Sequence, residues 1–221
     1  MTFDGRGCFY ESARYVRTMI LFFHTPEFFP PLDFWFGLLN SDAWVVLDHV
    51  RFTTRSRQSR CRIKCDSSIQ QLAVTVKRPC SKPICNMIID NFHPWRRYFI
   101  RAIKKGYSDT PYFNKYFESL KYYIEAPNVL LETLTLQTTL WVAELMDRHV
   151  RLFCTKDYYK NYPASKVIPI LLDKLGGEPF HERFNHPYYQ QRTEPFEKDL
   201  SILDCFFNIG AEATAKLLLG D

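Results

Sequence analysis

Two short apolar runs near the start of the chain, residues 19–23 and 43–47, place the strongest constraint on its fold. Each run is too short for a buried helix and is continuously apolar, which is typical of a strand covered on both faces. Between them, Pro31 is suited to the first turn of a helix, and Trp35 and Leu39 follow at helical spacing. The sequence therefore predicts a βαβ unit with two neighbouring parallel strands.

A histidine and an acid follow the two predicted strands: His24 after the first, and Asp48 after the second. Ligands of open parallel sheets bind beyond the carboxyl ends of the strands, so both are candidate catalytic residues. We expect Asp48 to hold the His24 ring in one tautomer, which leaves the other ring nitrogen to act as a general base. The alternative is that His24 caps its strand by bonding a backbone carbonyl.

The rest of the chain predicts a single α/β domain, residues 19–221, after an N-terminal extension of residues 1–18. We expect a mainly parallel sheet with helices on both faces and a helical middle segment. Apolar periodicity and turn residues predict a β-hairpin from residues 60–64 and 72–76, a strand at 150–154, and helices at 95–104, 112–123, 129–147, 164–175 and 200–208.

The net charge of +5 is concentrated in residues 51–64, which contain six basic residues and no acid. Arg60, Arg62 and Lys64 alternate along a predicted strand, so they project from one of its faces, and Arg55 precedes them. Guanidinium groups bind phosphate and carboxylate oxygens in pairs, which makes this segment a candidate anion site. The alternative is a solvated basic edge strand that resists aggregation.

Other polar residues are further candidates for substrate binding. Arg96 lies in the first turn of a predicted helix, where it either adds to an anion site or is simply solvated. His186 and Tyr188 belong to the stretch HPYYQQ, whose ring and amide groups suit a polar ligand such as a sugar, although packing is the alternative for the tyrosine. Asp204 and Asn208 share one face of an apolar helix, and they either attach it to the sheet or line a pocket.

Several classes of protein and site have no sequence support. The seven cysteines include no CxxC pair, so neither a disulfide framework nor a zinc site has its usual spacing. Glycine-rich nucleotide-binding loops, a GxSxG elbow and an HExxH helix are also absent from the sequence. No apolar run reaches the length of a membrane span. We therefore expect a cytoplasmic protein without a metal or a cofactor.

Five stretches, in order along the chain, resemble the WbqC-like protein family, whose bacterial members are found with genes for surface polysaccharides and natural products. They are FFHTPEFFPPLDFWFGLL, VVLDHVRFTTRSRQSRCRIK, PWRRYFIRAIKKGYSDTPYF, HPYYQQ and LSILDCFFNIG. Gln58 is a candidate binding residue because it fits the second of these stretches. Thr25 and His49 stand where the family usually has glutamine and aspartate. The resemblance also implies that residues 177–185 replace a longer family segment that contains a strand and a loop.

The resemblance and the candidate site together favour a biosynthetic transferase that makes an amide or ester on a small amine or amino sugar. The expected partner is an anionic donor, either a small molecule or carrier-linked: a nucleotide sugar, an acyl thioester or an aminoacyl-tRNA. A nucleotidyltransferase-like enzyme is one alternative, because the same residues suit a reacting phosphate. A non-catalytic binding or scaffold protein of the same pathway is the other.

Overall fold

The computed structural model describes residues 18–66, 68–78, 82–159 and 164–220. The predicted N-terminal extension, apart from residue 18, lies outside these ranges. The predicted βαβ unit is present as β1 (Met19–His24), α1 (Leu32–Leu39) and β2 (Ala43–Val46). β1 and β2 pair in parallel, and the last pair in the register joins His24 to Val46.

The main sheet has four parallel strands in the order β5-β2-β1-β6, with β5 at Leu152–Cys154 and β6 at Gly177–Pro179. The chain runs outward from β1 to β2 and β5, and then returns to the other side of β1 with β6. Strand order therefore reverses between β1 and β6. Ligands of open parallel sheets bind at the carboxyl side of such a reversal, which is where His24 lies.

Helices make up most of the remaining chain: α2 (Trp95–Tyr107), α3 (Phe113–Glu125), α4 (Leu131–Leu145), α5 (Lys156–Tyr159), α6 (Ala164–Leu175), α7 (Ile202–Ile209) and α8 (Ala211–Leu219). The five helices predicted after the βαβ unit are all present, and their ends differ from the predicted ones by three residues or fewer. Within the described ranges, no helix is both long enough and apolar enough to span a membrane.

Both faces of the sheet are covered by helices, which confirms the predicted architecture. α6 covers one face, where Val167 and Leu171 pack against Leu21 and Val45. Phe22 and Trp44 belong to the larger core, to which α1, α2, α3, α4, α7 and α8 all contribute. This alternation along the strands is that of a sheet buried on both faces, and it explains why their sequences are continuously apolar.

The predicted hairpin consists of β3 (Arg60–Cys65) and β4 (Ser68–Ala73), paired antiparallel. The predicted range of its second strand, 72–76, was wrong, because β4 starts four residues earlier. The first four residues of β4 are polar or exposed, so this edge strand lacks the apolar alternation on which the prediction depended.

Helix α8 and strand β6 were not predicted. β6 is a three-residue Gly-Glu-Pro segment without an apolar pattern, and it lies inside the segment expected to have lost a family strand. Gly210 ends α7 and begins α8 directly, with a left-handed φ of 84°. A Cβ at this position would also lie 2.8 Å from the ring of Tyr112. The sharp helix–helix corner therefore requires glycine.

Helix α2 packs so closely on β3 that Gly106→Ala should destabilise the protein. A Cβ at Gly106 would lie 2.8 Å from the carbonyl oxygen of Lys64, a backbone atom that cannot rotate away. We expect the free energy of unfolding, measured by urea denaturation, to fall by about 1–3 kcal/mol, even though alanine has the higher helix propensity. The exposed Arg101→Ala in the same helix is the control and should change it by less than about 0.5 kcal/mol. Unchanged stability of Gly106→Ala would contradict this close packing.

Candidate functional site

A cavity of about 170 Å³ lies between β3 and the loops that precede α1, β3 and α7. Its lining includes four arginines of the basic segment, and the full set is Phe29, Pro31, Arg55, Ser56, Arg57, Arg60, Cys61, Arg62, Gln71, Asp199 and Ser201. A larger cavity of about 580 Å³ lies near α3 and α8, away from every predicted site residue. The smaller cavity is the candidate site, because the cationic groups converge there.

The four guanidinium groups of this arginine cavity differ in how they are paired. Arg57 donates from Nη1 to both carboxylate oxygens of Asp33, at 3.0 and 2.8 Å, and Arg60 donates to the Gln71 side chain at 2.9 Å. Among the described residues, the guanidinium groups of Arg55 and Arg62 have neither a hydrogen bond nor an ion pair. The guanidinium groups of Arg55 and Arg62 are therefore available to bind an anion through paired N–H donors.

Backbone strain is concentrated at the same cavity. Phe29, Arg55 and Asp199 have φ values of 45°, 66° and 57°, in the left-handed region that residues with a side chain rarely adopt. All three line the cavity. Such conformations cost on the order of 1–3 kcal/mol each and tend to occur at binding and catalytic sites. The loops around the arginines are thus held in conformations that local preferences alone would not select.

His24 lies at the end of β1 and outside the lining of the arginine cavity, and the charge of Arg57, which does line the cavity, acts on its pKa. Its Nδ1 is 3.0 Å from the carbonyl oxygen of Thr25, so Nδ1 carries the proton and Nε2 keeps its lone pair. The ring stacks on Phe22 and meets the edge of Phe34, and this burial lowers the pKa of His24. A neutral imidazole with a free acceptor nitrogen is the form required of a general base.

A buried acid three residues after His24 in the sequence, Glu27, was not predicted from the sequence. Burial raises its pKa to about 7, Arg57 opposes this increase, and Asp33 adds to it. Its Oε2 has no hydrogen-bond partner among the described residues, and the Arg57 guanidinium is 4.0 Å away. The charges of Asp33 and Arg57 also shift the pKa of His24, so the same ion pair affects both His24 and Glu27. The available signal was an acid within the apolar and proline-rich stretch HTPEFFPP.

Asp48 does not orient His24 in the structure. Its Oδ1 accepts hydrogen bonds from the Thr155 hydroxyl at 2.8 Å and from the Lys156 backbone N–H at 2.6 Å. No hydrogen bond joins its carboxylate to the His24 ring, whose Nδ1 faces the Thr25 carbonyl instead. The expected His24–Asp48 hydrogen bond is therefore replaced by two separate sets of contacts, because Asp48 turns toward the end of β5.

Three predicted binding residues belong to a buried network that holds the segment before α7 in place. Lys64 donates from Nζ to the Gln191 side chain at 3.1 Å and to the backbone carbonyls of residues 193 and 195. Asp204 accepts from Tyr107 at 2.7 Å and from Tyr189 at 2.8 Å, while Asn208 donates to its backbone carbonyl. Lys64, Asp204 and Asn208 are thus occupied by contacts within the chain and do not line the arginine cavity.

The remaining predicted residues also lie outside the cavity lining. Gln58 accepts a hydrogen bond from the backbone of Thr53 at 2.8 Å and so stabilises the loop that carries Arg55 and Arg57. Arg96 donates to the backbone carbonyls of residues 124 and 126 at the end of α3. His186 and Tyr188 both contact the ring of Phe196, and Tyr188 is largely exposed.

The raised pKa of Glu27 should make stability depend on pH. The folded state keeps the Glu27 proton up to about pH 7, whereas a free glutamate loses it near 4.5, so stability should fall as the pH rises through this window. The difference between the two pKa values of Glu27 corresponds to about 3 kcal/mol in the free energy of unfolding. Glu27→Gln should remove it, as measured by urea unfolding at about pH 5 and pH 7.5.

The exposed Glu125→Gln is the matched control for this measurement and should keep the pH dependence of the parent. Comparing variant with parent isolates Glu27 from other buried acids, and His24, Asp33 and Arg57 remain in place in both. An equal pH dependence in the parent and in Glu27→Gln would show that Glu27 is not buried in this way.

Comparison with known proteins identifies the family of the chain. The model of the WbqC-like protein family matches residues 25–177 and 173–216. The two matches overlap at residues 173–177. No curated protein and no solved structure gives a significant match. Because the family model spans most of the chain, the protein belongs to the WbqC-like protein family.

Proposed function

We propose that the protein is a biosynthetic transferase that binds the phosphate of an anionic donor in the arginine cavity and uses His24 as its general base. Membership of the WbqC-like family suggests a biosynthetic role. The observation that carries the proposal is the convergence of four arginines on one cavity, two of them without partners among the described residues. The charge of Arg57, one of these four arginines, lowers the pKa of His24.

The size of the cavity defines what part of the donor it binds. About 170 Å³ is below the ~300–1,000 Å³ of pockets that enclose a drug-sized ligand. A phosphate or pyrophosphate group fits this description, and the rest of the donor would extend over the protein surface. A nucleotide sugar, a thioester on a phosphopantetheine carrier and an aminoacyl-tRNA all carry such a group. The cavity thus supports a class of donor and leaves its identity to experiment.

His24 and Glu27 have complementary roles in the proposed transfer. With an acyl-thioester or aminoacyl-tRNA donor, the nitrogen of a small amine or amino sugar forms a bond with the donor's carbonyl carbon, and the bond from that carbon to the donor's oxygen or sulfur breaks. With a nucleotide sugar, the new bond forms at the anomeric carbon, and the bond from that carbon to the phosphate oxygen breaks. His24 takes the proton of the amine at Nε2, which burial keeps unprotonated. Glu27, with a pKa of about 7, supplies a proton to the departing oxygen or sulfur. The carbonyl of Thr25 takes the orienting role that the sequence assigned to Asp48.

Removal of an unpaired arginine should weaken anion binding. We expect Arg62→Ala to raise the Kd for inorganic pyrophosphate about tenfold or more, because a charge-assisted hydrogen bond contributes about 1.5–3 kcal/mol. Isothermal titration calorimetry measures this effect, and added salt should weaken binding to the parent. The exposed Arg97→Ala on α2 removes the same charge away from the cavity and should leave the Kd unchanged. Equal losses in both variants would indicate a general charge effect and contradict a site.

Replacement of the proposed base should affect turnover more than binding. With nucleotide-sugar, acyl-thioester and aminoacyl-tRNA donors screened by mass spectrometry, His24→Gln should lower product formation by about 10²–10⁴ while the Kd for pyrophosphate stays close to the parent's. A strand-end cap would instead cost about 1 kcal/mol of stability and leave turnover intact.

The two alternative functions give different results in the same screen. Release of pyrophosphate from a nucleoside triphosphate, with a nucleotidyl product that depends on the arginines, would indicate a nucleotidyltransferase. Ligand binding without any product would indicate a binding or scaffold protein. Product that forms at the parental rate in His24→Gln would reject His24 as the base in every case.

A further inference from the structure

We propose a second site, separate from the arginine cavity, in which Asp48, Glu132 and Cys154 bind a divalent cation of the Zn²⁺ type. Asp48 follows β2, Cys154 ends β5, and Glu132 is in the first turn of α4. One possible ligand atom from each residue, a carboxylate oxygen or the thiol sulfur, lies within 4.8 Å of the other two. Three chain segments distant in sequence thus converge at the carboxyl edge of the sheet.

An unsatisfied atom of Asp48 is the observation that favours a ligand here. The residue has 0% of its surface exposed, and Oδ1 accepts the two hydrogen bonds from Thr155 and Lys156. Its Oδ2 accepts no hydrogen bond from an N–H or hydroxyl donor of the described residues, so the alternative to a bound cation is a proton shared with the neighbouring Glu132 carboxyl group. Buried carboxylate oxygens are normally paired or bound to a metal, so this atom requires a cation or a proton beside it.

The charges of the cluster are unbalanced in a way that favours a bound cation. Asp48 and Glu132 are both buried acids, and Lys156 contacts Glu132 through Nζ at 2.6 Å. One ammonium group therefore faces two carboxylates. A divalent ion would offset both charges, whereas a proton on Glu132 would offset one.

The chemistry of the three donors selects the kind of ion. Carboxylate oxygens alone suit Mg²⁺ or Ca²⁺, but a thiolate favours Zn²⁺ and similar borderline metals. Three protein ligands would leave the fourth tetrahedral position to water or to a ligand. The hydroxyl of Thr155 contacts both Asp48, at 2.8 Å, and the ring of His49, at 2.5 Å, and would orient the Asp48 carboxylate from outside the ligand set.

Metal titration of the full chain tests this site directly. After removal of metals with a chelator, equilibrium dialysis against ZnCl₂ should give one bound Zn²⁺ per chain that Cys154→Ser lacks, and Mg²⁺ should not compete. Co²⁺ in place of Zn²⁺ should give the absorption band of a thiolate–cobalt bond. Cys85→Ser is the matched control, because this nearby cysteine is outside the proposed ligand set, and it should keep both the stoichiometry and the band.

Two further variants keep the test valid if Cys154→Ser fails to fold. Asp48→Asn and Glu132→Gln should each weaken Zn²⁺ binding by about tenfold or more, with folding checked by circular dichroism. Absence of a stoichiometric Zn²⁺ in the folded parent would overturn the proposal and indicate a protonated acid pair. A Cys154→Ser protein that keeps the cobalt band would also overturn it. Neither result affects anion binding by the arginines, so this site and the proposed function fail independently.

Discussion

The parallel pairing of β1 with β2 is the constraint on which the rest of the structure depends. It requires a crossover connection, and α1 supplies this connection while packing the apolar side chains that follow Pro31 onto the sheet. It also brings the residues after both strands to one edge of the sheet. For that reason His24 and Asp48 both lie at this edge, although their side chains bond to different partners.

Sequence patterns predicted the parts of the fold that bury large apolar faces. The continuous apolar strands and the periodic helices α2, α3, α4 and α6 are of this kind, and in each case burial decides the conformation. β4 was misplaced and β6 was missed, because backbone pairing defines these strands while their side chains are mostly exposed or small. α8 was missed because its predecessor ends at Gly210, which usually indicates the end of a helical region.

The candidate site was predictable only in its charge. The density of arginines in residues 51–64 indicated an anion site, and Arg55, Arg60 and Arg62 do line one cavity. Lys64, on the same strand, instead extends into the buried network around Gln191, where its compact ammonium group donates to a side-chain amide and to backbone carbonyls. Glu27 and Glu132 could not be identified in advance, since their importance depends on burial and on partners that are remote in sequence.

The ion pair between Asp33 and Arg57 has a thermodynamic consequence for the imidazole of His24. Asp33 raises the pKa of His24, and Arg57 lowers it. An anion that binds Arg57 offsets its positive charge, so the pKa of the imidazole rises once the cavity is filled. Linkage is reciprocal for binding free energies, so protonation of His24 increases the affinity for the anion by the same factor. A positive charge on the His24 ring is thus coupled to retention of an anion in the cavity.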